Sequence, residues 1–273
     1  MKSPAAATRA ARSPARPGPF HVPAVCLVLG LAAAGQAPRA SEPSARQTIP
    51  PVAETAPAYD PTTAYTERDL AGWRVRVNQK LLAEPDLCAR TLRELECQLE
   101  QIARRVPPRP LTRLREIPIW VERASPQFAC MCYHESRAWL STHGVNPDKS
   151  GAVELANPEA FLDWTREQPW MVLHELAHGY HQRVLGEEHP GLRRCFEQAR
   201  ASGRYEAVLH ASGRTERHYA LTSLKEYFAE GTEAFFGTND FYPFVRAELR
   251  RHDPDLEALL AELWESGTPA ATP

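Results

Sequence analysis

Apolar periodicity is absent from the front of this chain and pronounced in the rest of it. The strongest run follows Gln168. Met171, Val172, Leu173, Leu176, Tyr180 and Val184 form a wide apolar stripe at helical spacing. Pro169 suits a first helical turn, where its missing N–H costs nothing, and Gly186 after Leu185 suits a C-terminal stop. The spacing predicts a buried helix here. An earlier helix, ending near Arg105, carries Cys88, Leu92, Leu95, Leu99, Ile102 and Val106 at steps of three and four, a core stripe. A third is predicted over residues 222–236. Thr222 or Ser223 can cap it, and Leu224, Tyr227, Phe228, Ala234 and Phe235 supply apolar contacts, although Gly231 weakens the pattern. Residues 73–77 alternate like a strand, and 117–121, 128–133 and 151–156 also read as strands. A last helix over 243–264 reads as packing. These elements predict an α+β domain, a small mixed sheet packed on the helix after Gln168 and on further helices.

The front section differs in composition. Many of the 25 prolines precede residue 62. Residues 1–19 hold Lys2, Arg9, Arg12 and Arg16 and no acid, and an apolar run over 20–34 follows, broken by Pro23. Small residues come next. This pattern predicts a secretory signal over 1–37 and hence a secreted or periplasmic protein; an Arg/Ser-rich transit peptide is the competing reading. The apolar run is too short for a comfortable membrane span, so no stable membrane insertion is expected. Residues 38–67 read as a Pro/Ala-rich spacer, 68–267 as one folded domain and 268–273 as a tail.

Charge changes the picture little. Thirty-two basic against 34 acidic residues leave a net charge of −2, which offers no electrostatic case for nucleic acid or a membrane surface. Beyond the leader stand Cys88, Cys97, Cys130, Cys132 and Cys195. Cys88 and Cys97 fall on one predicted helix, too far apart to bond. Cys130-Met131-Cys132 is too short for a C-x-x-C motif. Packed thiols with room for one disulfide are the expectation.

Chemistry enters with His174-Glu175-Leu176-Ala177-His178 inside the strongest apolar helix. Two histidines four apart lie on one helix face, so both imidazoles can bind one Zn²⁺. The glutamate beside the first can then act as a base towards a water. An accidental motif is the competing explanation, and the buried helical context argues against it. Catalytic zinc needs a third protein ligand. A histidine six residues after His178 is excluded, because Val184 stands there. His181 reads as a helix-surface or outer-partner histidine. Glu226, Glu230 and Glu233 share a face of the 222–236 helix among aromatic and small residues, with Lys225 the exception. That arrangement favours Glu226 as ligand and Glu230 as the acceptor that orients a ligating histidine. Asp240, in Gly237-Thr238-Asn239-Asp240, is the remaining candidate, although the same residues suit a turn.

The H-E-x-x-H motif followed at a long gap by Glu226-Tyr227-Phe228-Ala229-Glu230 resembles the catalytic domain of anthrax lethal factor and its relatives. The segment from Trp73 to Trp264 is also similar to small secreted bacterial proteins with HELAH and EYFAE blocks. The tight match runs from His174 to Phe236; Ala220, Leu221 and Lys225 depart from it, and the toxin's non-catalytic domains have no counterpart. The resemblance implies a zincin-like metallopeptidase with one zinc on His174, His178 and Glu226, and Glu175 as general base. It also implies that Tyr219, seven residues before Glu226, stabilises the oxyanion. A peptide or protein substrate is expected to add as an extra strand beside residues 151–156. The alternative is a non-catalytic zinc-binding domain that recognises peptide or cell-wall material.

Overall fold

The computed structural model describes residues 59–266. The predicted signal, the spacer before residue 59 and the tail lie outside the described residues. Strand β1 (Tyr65–Leu70) opens the sheet and turns back into β2 (Trp73–Asn78) through Ala71 and Gly72. Both turn residues have positive φ, 52° and 90°, the backbone that a tight hairpin needs. The domain therefore reaches back before residue 68. Asp60 takes part as well, accepting from Asn78 Nδ2 at 2.9 Å and from Lys80 Nζ at 2.8 Å. β1 escaped periodicity because Tyr-Thr-Glu-Arg-Asp-Leu is half-buried to exposed throughout and has no apolar face.

Helices α1 (Gln79–Leu82), α2 (Pro85–Arg105) and α3 (Pro108–Arg115) follow, then β3 (Ile119–Val121), β4 (Met131–Tyr133), α4 (Arg137–Thr142) and β5 (Val153–Leu155). The strand order is β1-β2-β3-β5-β4. β2, β3 and β5 run parallel, while the two outer strands run antiparallel to their neighbours. This is a mixed α/β architecture with a small mixed sheet, as the periodicity predicts. The edge assignment is corrected: β5 pairs on both sides, and β4 is the outer strand. Residues 151–156 lie just before the H-E-x-x-H helix in sequence, but pairing decides which strand is left open.

α5 (Pro158–Trp164) leads to α6 (Met171–Tyr180), which carries the histidines. Helical winding continues through a π-type turn, His181–Leu185, and stops at Gly186 with φ 81°. Val172, Leu173, Leu176 and Ala177 are fully buried against the sheet face that holds Val75, Val77, Ile119, Val121, Val153 and Leu155. Gly179 permits the close approach. A Cβ there would stand 2.6 Å from Ile117 Cδ1 and 3.0 Å from a Tyr133 ring carbon.

The remaining elements are α7 (Pro190–Ser202), the short pair β6 (Val208–Leu209) and β7 (Thr215–Glu216), α8 (Leu224–Phe236), α9 (Arg246–His252) and α10 (Pro254–Ala261). α8 packs along α6. Gly231, the weak point of its pattern, is where Leu256 of α10 comes in: a Cβ would meet it at 2.8 Å. The predicted single helix over 243–264 is two. Asp253 accepts from Leu256 N and Pro254 occupies the first helical position, so the chain restarts there. No disulfide forms among the described cysteines; Cys97 is exposed and the other four are buried. No described helix is long and apolar enough to cross a membrane.

Candidate metal centre

α6 places His174 and His178 one turn apart, with ring centroids 4.8 Å from each other and planes at 81°. α8 brings the third group. Ser223 Oγ accepts from Glu226 N at 3.2 Å, so the cap orients the first turn. In a capping box the glutamate three residues on would reach back to the cap. Here its carboxylate crosses to the other helix instead. Glu226 Oε2 lies 3.0 Å from His174 Nε2 and 3.4 Å from His178 Nε2. The three donor atoms all fall within 4.8 Å of one another, an arrangement that could hold a metal ion. The side chains of His174, His178 and Glu226 keep 12, 10 and 18 % exposure, so solvent reaches the group.

The partner that orients His174 is corrected. Glu233 Oε1 stands 2.7 Å from His174 Nδ1, whereas Glu230 Oε1 is 3.7 Å away and outside hydrogen-bond reach. Glu230 accepts instead from Asn239 Nδ2 at 2.8 Å. Seven residues make almost two full turns, so Glu233 lies nearly in line with Glu226 along α8. The two nitrogens of His174 bridge that line. His178 Nδ1 is buried without a hydrogen-bond partner among the described residues.

Charge is crowded here. Burial raises the Glu230 carboxyl well above its ordinary value, and Glu233 and Asp240 add to the rise. Burial also raises Glu233, against the pull of His174. Glu226 goes the other way: burial opposes its charge, but His178 and His174 outweigh that and hold it well below the usual carboxylate range. For His174, burial opposes a proton, and Glu226 and Glu233 together outweigh it and raise the imidazole well above its usual value. The carboxylates thus call for positive charge at the imidazoles. A divalent cation supplies that charge and takes the same imidazole and carboxylate donors, so the residues present fit zinc. Glu233→Ala would leave the buried Nδ1–H unpaired. It is expected to weaken zinc binding about 10–100-fold, with a much smaller change for Glu230→Ala, read by chelator competition.

Glu175 reaches towards the sheet edge. Its Oε2 accepts the backbone N–H of Tyr133 in β4 at 2.8 Å. His134 N bonds back into β5 at Ala152 O, so the Tyr133 amide, one residue earlier, faces outward from the sheet. Tyr219 opens a short 3₁₀ turn, Tyr219–Thr222, which the His218 side chain caps by accepting from Ala220 N at 3.1 Å. Burial raises the Tyr219 hydroxyl well above its usual value, helped by Glu226 and Glu175 and opposed by His174. Glu226 and His174, two members of the candidate metal group, thus both act on this hydroxyl. Lys225, the one basic residue of α8, pairs with Glu135 just beyond β4.

Asp240 is not brought to the histidines. It accepts from Gln168 Nε2 at 2.9 Å and stands 3.4 Å from His210 Nε2, tying the β6–β7 segment to the approach of α6. His181 is a core residue rather than a surface one, 5.3 Å from the Phe228 ring and held neutral by burial, its pKa pushed down to about 3. Of the residues that sequence reasoning passed over, Glu233 was visible as the third acid of the helix face. The Tyr133 amide and the His218 cap carry no sequence signal.

No protein-family model, curated protein or solved structure matches this chain. What the fold and the site define together is a mixed α/β protein with a His₂–Glu group able to take a metal.

Proposed function

We propose that this chain is an exported zinc metallopeptidase of zincin-like fold that hydrolyses peptide bonds. One observation carries the reading: His174 and His178 of α6 and Glu226 of α8 converge, while Glu175, between the two histidines, projects to the outer strand β4. His174, His178 and Glu226 would hold the metal. Bound zinc supplies a lowered water pKa, near ~7, and a Lewis acid for the carbonyl.

The chain's own groups do the rest. Glu175 accepts the proton of the attacking water and hands it to the leaving amine. Glu233 keeps the His174 ring in one tautomer. The Tyr219 hydroxyl, kept protonated by burial and by Glu226, donates to the oxygen that gains charge. β4 offers the open edge to which an extended peptide adds as a further strand, in place of the strand expected over 151–156.

The test uses full-length protein purified without chelator, its zinc counted beside a His178→Ala variant, and a diverse peptide library. One equivalent of zinc dependent on His178, together with cleavage, supports the peptidase. Zinc without cleavage favours the non-catalytic recognition domain, and a folded protein with no His178-dependent zinc overturns the metal reading. Tyr219→Phe removes one oxyanion donor. It is expected to keep zinc and to lose roughly 10²–10³ in turnover; equal activity would take Tyr219 out of the mechanism.

A further inference from the structure

The sheet face opposite α6 carries a second set of metal-type donors. Register sets Cys132 of β4 across from Glu154 of β5, and His134 lies two residues further along on the same face. His134 Nε2 is 2.5 Å from Glu154 Oε2, and Cys132 Sγ is 3.7 Å from His134 Nε2. The three donor atoms lie within 4.8 Å of one another. The residues are 4, 4 and 1 % exposed in the order Cys132, His134, Glu154, so water does not solvate them freely.

Charge balance points to a cation. Lys149 Nζ stands 2.6 Å from Glu122 Oε1 and 2.9 Å from Glu154 Oε1, all three side chains being buried. Glu122 is further held by Asn78 Nδ2 at 2.8 Å and by the Tyr65 hydroxyl. One lysine therefore faces two buried carboxylates. A buried carboxylate without a matching positive charge is strongly unfavourable. Glu154 turns its other oxygen, Oε2, to the His134 imidazole beside the Cys132 thiol, where a cation would balance the second carboxylate.

Thiolate, imidazole and carboxylate make a donor set suited to zinc, and the sulfur disfavours magnesium or calcium. Donors around a tetrahedral zinc stand roughly 3.3–3.8 Å apart, given ligand distances of ~2.0–2.3 Å. The Cys132–His134 separation already fits, and the His134–Glu154 contact needs to open by about 1 Å. Three protein ligands leave a fourth position. A cavity of about 170 Å³ adjoins Glu154, lined also by Glu122, Lys149 and Tyr65.

We propose that Cys132, His134 and Glu154 form a second zinc site, separate from the His174–His178–Glu226 group, that clamps the outer strand β4 to β5. The site stands independently of any peptidase activity. Its consequence reaches the other face, because β4 also presents the Tyr133 amide that Glu175 holds.

Cobalt separates the two centres. The full chain is loaded with Co²⁺ in place of Zn²⁺ and its near-ultraviolet absorption recorded. Only a sulfur ligand produces a thiolate-to-cobalt charge-transfer band, and the His174–His178–Glu226 group has none. The expected result is a band in the parent that disappears in Cys132→Ser and persists in His178→Ala. A folded, cobalt-loaded parent with no such band overturns the proposal, leaving His134 as a hydrogen-bond partner of Glu154. A band that survives in Cys132→Ser overturns it too, because another cysteine then holds the metal. Should Cys132→Ser not fold, X-ray absorption of the zinc-loaded parent decides without a variant: a sulfur shell at ~2.3 Å supports the site, and nitrogen and oxygen ligands alone refute it. Neither readout depends on cleavage of a peptide.

Discussion

Glu175→Gln is expected to keep its zinc and to lose peptide hydrolysis by a factor on the order of 10²–10⁴. The substitution is nearly isosteric. Its amide oxygen can still accept the Tyr133 N–H that Glu175 Oε2 accepts at 2.8 Å, so the contact between α6 and β4 survives. None of the three metal donors is altered. What disappears is the only property the mechanism asks of this side chain, the capacity to take and return a proton. Turnover of the cleaved library peptide, measured beside zinc content, checks both halves. A variant as active as the parent would remove Glu175 from the role of base, and one that had lost its zinc would show that the carboxylate charge supports the metal instead.

Glu226→Ala is expected to cost more zinc affinity than the ~10–100-fold assigned to loss of an outer partner such as Glu233, because a direct ligand goes. The helix should not suffer. Ser223 caps the backbone N–H of residue 226, which alanine retains, and alanine is the strongest helix former. The prediction is therefore a folded protein with unchanged circular dichroism whose His178-dependent zinc is stripped by mild chelation. Undiminished retention would move the third ligand elsewhere. Asp240 is a poor successor, since its carboxylate is engaged by Gln168 and lies beside His210. The cobalt–thiolate band assigned to Cys132 should be untouched, which makes the two centres separable in one preparation.

The parts of the site that were legible in the sequence are those that local geometry controls. Any α-helix sets residues four apart on one face, so His174 and His178 had to point together wherever the helix lay. The apolar stripe from Met171 to Val184 likewise required that face of α6 to be buried. The acidic face of α8 followed from the same 3.6-residue period, and so did its packing role; Gly231, which weakens that pattern, is explained only by the approach of Leu256.

Which acid does what was decided elsewhere. Glu226, Glu230 and Glu233 share a face, and only the height at which α8 crosses α6 gives Nε2 of His174 to Glu226 and Nδ1 to Glu233. Strand pairing is equally non-local: residues 151–156 and 128–133 both read as strands, and the register β3-β5-β4 made the first internal and the second the open edge. That same register brings Cys132 and His134 to Glu154, twenty residues and more along the chain, where no motif announces them. β1 went unseen because a polar outer strand has no apolar alternation to display. Periodicity reports the face an element buries, which is a property of a few consecutive residues. The partner it buries that face against is set by long-range packing, and the grouping of the donors in both candidate sites depends on that partner.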